Sequence, residues 1–244
     1  STPIWTYAGT GSNVYAVSMS GDGEYIVAGG EDTDVRLWSK DSSSPIWYYS
    51  TGGDICSVAI SSSGEYIVGG GNDNKVYLFD KDSSAPLWSY STGDDVCSSS
   101  VVIPQIRVAI SADGEYIVAG SDDDKVYLFG KDSSTPLWNY TYTTSDCGHC
   151  NTVSISANGE YFVLGSGNVY LFDKDSSTPL WQYNESARSV SISAEGDYIT
   201  VGTKVDSAGD VFVLLFGKES SQYLWRYNIG VDIYSVSISA DGEY

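Results

Sequence analysis

Six copies of one turn punctuate the chain: a Gly-Glu-Tyr or Gly-Asp-Tyr triplet whose glycine falls at Gly23, Gly64, Gly114, Gly159, Gly196 and Gly242. A second marker, Trp-x-Tyr, recurs at Trp5/Tyr7, Trp47/Tyr49, Trp88/Tyr90, Trp138/Tyr140, Trp181/Tyr183 and Trp225/Tyr227, at spacings of about 41 to 50 residues. A repeat of this length is one supersecondary unit, and it buries its apolar faces only by packing on its neighbours. That requirement outranks any residue-by-residue reading of the fold.

Within one unit, VAISSSGEYIVGGGNDNKVYLFDKDSSAPLWSYS, the apolar runs predict strands over 58–61, 65–70, 75–80 and 86–90. Between them stand SSSGE, GNDN and KDSSAP, rich in residues that supply a positive φ, a side-chain turn bond or a fixed φ. The 41% hydrophobic content is concentrated in Val, Ile, Tyr, Phe and Trp, which favour strands, and helical spacing appears nowhere. Four-stranded units that stack radially cover one another's faces, which predicts an all-β chain folded as a single β-propeller domain over residues 1–244. The fourth-strand tryptophans Trp5, Trp47, Trp88, Trp138, Trp181 and Trp225 suit the wide outer part of each blade, where each ring docks on its neighbour and buries about 150 to 250 Å². Small and β-branched residues such as Ser57-Val58-Ala59-Ile60 suit the crowded centre.

The chain opens with a lone fourth strand, Ser1 to Ala8, continues through five complete units, and ends inside a sixth at Asp241-Gly242-Glu243-Tyr244. The expectation is a ring closed by pairing the N-terminal fourth strand with C-terminal inner strands, with the last blade cut short. Six blades give the smallest closure and seven or eight the alternatives. An open ring completed by another chain is a further one, because unpaired strand edges invite pairing.

Two family resemblances follow from these residues. GEYIVAGSDDDKVYLF (114–129) resembles the WD repeat, with Trp38 at the position of the repeat's tryptophan, and VYLFDKDSSTPLWQY (169–183) resembles the repeat of pyrroloquinoline-quinone-type propellers. Both imply the propeller fold. The quinone family would add pyrroloquinoline quinone and calcium in a central channel, but the chain has no vicinal cysteine pair. It also replaces the Trp-Asp dipeptide by Trp38-Ser39, Phe79-Asp80, Phe129-Gly130, Phe172-Asp173 and Phe216-Gly217. No cofactor is expected.

Charge narrows the partners. With 32 acidic against 12 basic residues the net charge is −20, which repels phosphate backbones and anionic lipid and argues against nucleic acid. No apolar run has the roughly 18 residues needed to span a bilayer, and no signal-peptide pattern is present. The start at Ser1 leaves signal cleavage and a designed start equally open.

Candidate sites are few. Cys147-Gly148-His149-Cys150 lies between a fourth strand and the next inner strand, with no helix behind it to activate a thiol; a structural disulfide is preferred over a metal or redox site. Cys56 and Cys97 occupy matching positions at the start of successive inner strands, which leaves a cross-blade disulfide and two buried thiols open, with 56–97 the preferred pairing. The acidic turns Glu31-Asp32-Thr33-Asp34, Asn72-Asp73-Asn74 and Asp122-Asp123-Asp124 could hold calcium but read first as hairpin turns. Asn139-Tyr140-Thr141 and Asn184-Glu185-Ser186 match the glycosylation pattern. His149 is the sole histidine and no nucleophile triad can be assembled around it. The sequence therefore predicts a non-catalytic, acidic, secreted or cell-surface scaffold that binds a protein partner or self-assembles. A quinone-dependent dehydrogenase and an intracellular WD-like adaptor are the alternatives. The departures from the repeat at 98–106, 142–151 and 203–211 mark the contact loops.

Overall fold

The structure is a computed structural model that describes residues 2–9, 11–96, 107–142 and 152–244. Five four-stranded antiparallel sheets follow one another along the chain, each with its strands in sequence order from the inside outward. Blade 1 holds β1 (Val14–Met19), β2 (Tyr25–Gly30), β3 (Asp34–Ser39) and β4 (Trp47–Ser50). Blade 2 holds β5 (Ile55–Ile60), β6 (Tyr66–Gly71), β7 (Lys75–Asp80) and β8 (Trp88–Ser91), and blade 3 holds β9 (Val108–Ile110), β10 (Tyr116–Ser121), β11 (Lys125–Gly130) and β12 (Trp138–Thr141). Blade 4 holds β13 (Thr152–Ile155), β14 (Tyr161–Gly165), β15 (Val169–Asp173) and β16 (Trp181–Tyr183); blade 5 holds β17 (Ala187–Ile192), β18 (Tyr198–Thr203), β19 (Phe212–Gly217) and β20 (Tyr223–Asn228). No helix among the described residues is long and apolar enough to cross a membrane.

The strand boundaries differ from the sequence expectation in an instructive way. β5 starts at Ile55 rather than at 58, because Ile55 pairs with Gly71 and Ser57 with Gly70, leaving Cys56 as a bulge between them. β1 and β17 carry the same irregularity at Val14/Ala16 and Ala187/Ser189. A bulge adds one unpaired residue and turns it out of the ladder. The outer strand β8 starts at Trp88, after the Leu87 N–H has bonded the Leu78 carbonyl at 2.7 Å.

The core lies between blades rather than within them. One buried cluster joins Val27, Val35 and Leu37 of blade 1 to Ile55, Ile67 and Phe79 of blade 2, and three similar clusters link the later pairs. Four contacts repeat at these junctions. The outer-strand indole N–H donates to the lysine carbonyl that follows the next blade's third strand: Trp47 to Lys81 and Trp88 to Lys131 at 2.7 Å, Trp138 to Lys174 at 2.8 Å and Trp181 to Lys218 at 2.7 Å. The same indoles lie over the third-strand aromatics Phe79, Phe129, Phe172 and Phe216 with ring centroids 5.3 to 5.7 Å apart. The Tyr of each Gly-Glu-Tyr turn lies under the next blade's turn glycine, so that a Cβ on Gly114 would stand 2.4 Å from the Tyr66 ring. Gly114 has φ +79°, a conformation that glycine alone adopts without cost. Finally, the turn tips are joined by backbone bonds from Gly21 to Ser62, Ser62 to Ala112, Ala112 to Ala157, Ala157 to Ala194 and Ala194 to Ala240.

The sixth blade is in two pieces. Residues 233–244 dock on blade 5: the Val236 N–H donates to Ser189 Oγ at 3.1 Å, and Gly242 covers Tyr198. Residues 2–9 dock on blade 1, where the Trp5 indole N–H donates to the Lys40 carbonyl at 2.6 Å. The expected strand pairing between the two pieces is not formed, since neither belongs to a strand among the described residues. An inner and an outer strand of one blade stand three inter-strand spacings apart, about 14 Å, and among the described residues no second or third strand lies between these two pieces.

Candidate functional site

Antiparallel order fixes which loops share a face. The hairpins joining second to third strands, such as β2–β3 and β6–β7, emerge beside the connections that lead from each outer strand to the next inner one. The hairpin between β18 and β19 of blade 5 belongs to this face, and so do the described residues that flank the other two departures, Val96 and Arg107 before blade 3 and Tyr142 and Thr152 before blade 4.

On blades 1 to 3 the acidic hairpins are structural. Thr33, Asn74 and Asp124 take φ of 65°, 63° and 63°. Asp73 Oδ2 accepts the Tyr77 hydroxyl and the Gly52 N–H, and Asp123 Oδ2 accepts the Tyr127 hydroxyl and the Gly93 N–H, so each carboxylate clamps the connection arriving from the preceding blade. Burial, then the bond to the carboxylate, raises the pKa of both tyrosines, which keeps them proton donors at any ordinary pH. In blade 1, Arg36 lies between Asp32 and Asp34. These carboxylates already hold protonated or cationic partners, and among the described residues no three His, Cys, Asp or Glu side chains converge as metal ligands.

Blade 3 departs at its inner edge. Where other blades place Ser57, Thr152 or Ser189 opposite a glycine or its equivalent, Arg107 stands opposite Gly120, with its N–H donating to Ser57 Oγ at 3.1 Å. The residue is 1% exposed. The guanidinium donates to the Asp122 carboxylate and to the Val96 carbonyl at 3.3 Å, thereby joining the residues on either side of the 97–106 segment. Nearby, the buried Tyr142 hydroxyl donates to the Ser121 carbonyl at 2.9 Å, and burial raises its pKa. Removing one member of a buried ion pair costs about 3 to 5 kcal/mol, so Arg107 is a stiff brace at the base of the longest insertion. Sequence reading passed over it. Its signal was a lone arginine at a position that is Ser or Thr in neighbouring repeats.

The blade 5 hairpin is organised differently. Asp206 Oδ1 accepts the Ala208 N–H at 2.8 Å and the Asp210 N–H at 2.9 Å, and Asn228 donates to Asp210 at 2.6 Å.

A central channel of about 570 Å³ runs between the inner strands and is lined by residues of all six blades, from Tyr15 and Ser18 in the first to Ser235 and Ser237 in the sixth. Its described walls are Val, Ala, Ile, Ser, Tyr and Cys, with no ionisable acid and no cation. A quinone bearing carboxylates needs cationic partners and calcium needs anionic oxygens; these walls do not fit that group, and no step is derived through it.

Of the sequence-predicted residues, Cys56 sits at the β5 bulge on the channel wall. Cys97, Cys147, His149 and Cys150 lie outside the described residues. Asn139 in β12 is exposed, as is Asn184 after β16, whose side-chain oxygen accepts from Gln182 at 2.8 Å. Trp47, Trp88, Trp138 and Trp181 dock on neighbouring blades as expected, and Trp5 makes the equivalent indole bond to blade 1, while Trp225 is 46% exposed and makes no such bond among the described residues.

Compared with known families, residues 22–225 match the model described as outer membrane protein assembly factor BamB, a PQQ-like repeat. Residues 1–39 match the WD domain, G-beta repeat. No curated protein matches the chain.

Proposed function

The chain belongs to the PQQ-like, BamB-type repeat family, and on that premise we propose that it is a non-catalytic binding scaffold, a subunit of an extracellular or cell-surface assembly. It would engage a protein partner through the face that carries the irregular connections. The observation that carries this reading is the convergence of three departures from a uniform repeat on one face of three consecutive blades, with a buried arginine bracing the longest. A scaffold needs rigid elements beneath variable loops, and the repeat supplies them. The family's description as an assembly factor agrees with a structural role for this chain.

The external location draws support from the four cysteines, the two exposed sequons and the high acidity. The pairing that goes with this location is Cys56 with Cys97 and Cys147 with Cys150.

Two measurements test the reading. Photocrosslinkers at Asn74 and Asp124 should capture a partner in the native source, and one at Asp82, on the opposite face, should not; equal capture at all three removes the argument. Thiol titration of the denatured, unreduced protein should find no free cysteine. Four free thiols would instead favour the intracellular WD-like adaptor.

A further inference from the structure

We infer, on the loop-face reading above, that the mouth of the central channel on that face receives one acidic side chain of the protein partner, an aspartate or glutamate whose carboxylate pairs with Arg188. A bulge recurs where inner strands leave the loop face. Tyr15 in β1, Cys56 in β5 and Arg188 in β17 are the extra residues at the register shifts Val14/Ala16, Ile55/Ser57 and Ala187/Ser189. A bulge turns its extra residue out of the ladder, and Tyr15 and Cys56 accordingly line the channel. Arg188 holds the same place in blade 5, just ahead of the wall residues Val190 and Ser191.

Four arginines stand in this acidic chain, and three are held by carboxylates: Arg36 by Asp32 and Asp34, Arg107 by Asp122, and Arg226 by Glu185 at 3.9 Å. Arg188 makes no hydrogen bond or ion pair among the described residues. Its guanidinium instead lies over the Tyr234 ring, 5.6 Å from the centroid, a cation–π contact that uses no acceptor and leaves the planar N–H fork to a carboxylate. The Tyr15 and Tyr234 hydroxyls likewise have no partner among the described residues, and Tyr234 is 60% exposed. Blades 5, 6 and 1 thus bring one arginine and two tyrosines, side-chain types that dominate interface energetics, to a single mouth. Behind them the described channel walls carry no carboxylate and no cation. Around them the hairpins carry Asp32, Asp73, Asp123 and Asp124, which repel a second acidic group. One acid therefore has one place to land, and the pair fixes the partner's register more than it adds affinity.

With arginine alone isotope-labelled, the chain gives four Nε–H signals by magnetic resonance, one for each arginine. On titration with the capped tripeptide acetyl-Gly-Glu-Gly amide, the signal that Arg188→Gln removes should move saturably while the other three stay in place. Acetyl-Gly-Gln-Gly amide should bind about fivefold more weakly. Arg188→Lys, which keeps the charge but loses the fork, should bind the glutamate peptide with intermediate affinity, and circular dichroism should be unchanged in both variants. In the native source, capture from Asn74 and Asp124 should drop about tenfold with Arg188→Glu and stay unchanged with Lys75→Glu, a charge reversal at the start of β7 on the same face. A glutamate peptide that leaves the Arg188 signal in place overturns the proposal, as does capture indifferent to Arg188→Glu. Tighter binding of acetyl-Gly-Gly-Gly with a free C-terminus also overturns it, since a chain end would then be the occupant. Absence of capture by the unaltered chain while the glutamate peptide still moves Arg188 would strike the loop-face reading and leave the carboxylate site standing.

Discussion

Between blades 3 and 4, Trp138 lies over Phe162 and Phe172 and donates to the Lys174 carbonyl, while Gly159 covers Tyr116. At the seam between blade 5 and blade 1, Trp225 has the same sequence context but meets neither ring nor carbonyl among the described residues, and Tyr244 is 89% exposed. Identical residues thus hold a sealed junction in one place and form an unsatisfied surface in another. The motif itself carries little stability; its value depends on the neighbour it meets, as expected of repeat architectures whose interface terms are nearest-neighbour quantities.

The sharpest way to break a sealed junction is at blades 2 and 3. Arg107→Ala should cost about 3 to 5 kcal/mol in denaturant unfolding, because the buried Asp122 carboxylate loses its cationic partner. Next, Trp138→Ala should cost about 3 kcal/mol, whereas Trp225→Ala in the unliganded chain should cost less than about 1 kcal/mol. Equal losses would mean that the seam is sealed in solution. A smaller contrast separates Gly114→Ala from Gly23→Ala. Both residues have positive φ, so each change carries about 1 kcal/mol of backbone strain, but only Gly114→Ala also drives a methyl group into a tyrosine ring, for a total of about 2 to 3 kcal/mol.

The smallest effect concerns charge. Burial, then the neighbouring Asp94 and Asp122, raise the Asp95 carboxyl above its ordinary 3.8. A raised acid stabilises the fold only while protonated, an advantage present below the unfolded value and lost as pH rises through the folded one. Asp95→Asn should therefore raise the melting temperature slightly at pH 7, and the gain should vanish below about pH 3. A gain that persisted in acid would point to packing rather than charge.

The blades, their antiparallel order and the four interior docking tryptophans were legible in the sequence because each is written several times over. What repetition cannot convey is what happens once. Arg107 occurs in a single blade, at the base of an insertion, and no neighbouring copy announces its partner Asp122. The bulge at Cys56 was missed for another reason: the apolar alternation continues smoothly through 55–60, and the extra residue shows only in the register against Gly70 and Gly71. Trp38, placed by resemblance at the WD tryptophan, does occupy the third-strand position where later blades carry Phe79, Phe129, Phe172 and Phe216, but its N–H has no hydrogen-bond partner among the described residues, which the resemblance did not announce. The two pieces of the sixth blade were expected to pair because their sequences match strands, but a strand needs an adjacent strand, and proximity is set by the ring.

The five backbone bonds joining the turn tips all run in one rotational sense, amide of one blade to carbonyl of the next. The arc they form is therefore polar. At its blade 6 terminus the Ala240 amide is uncommitted among the described residues, and at its blade 1 terminus the Gly21 carbonyl is. A donor terminus can join an acceptor terminus but not another donor. Any self-association through these termini must then join donor to acceptor: a two-fold pair has to form both joints at once, and a single joint continues into a larger cycle or a helix.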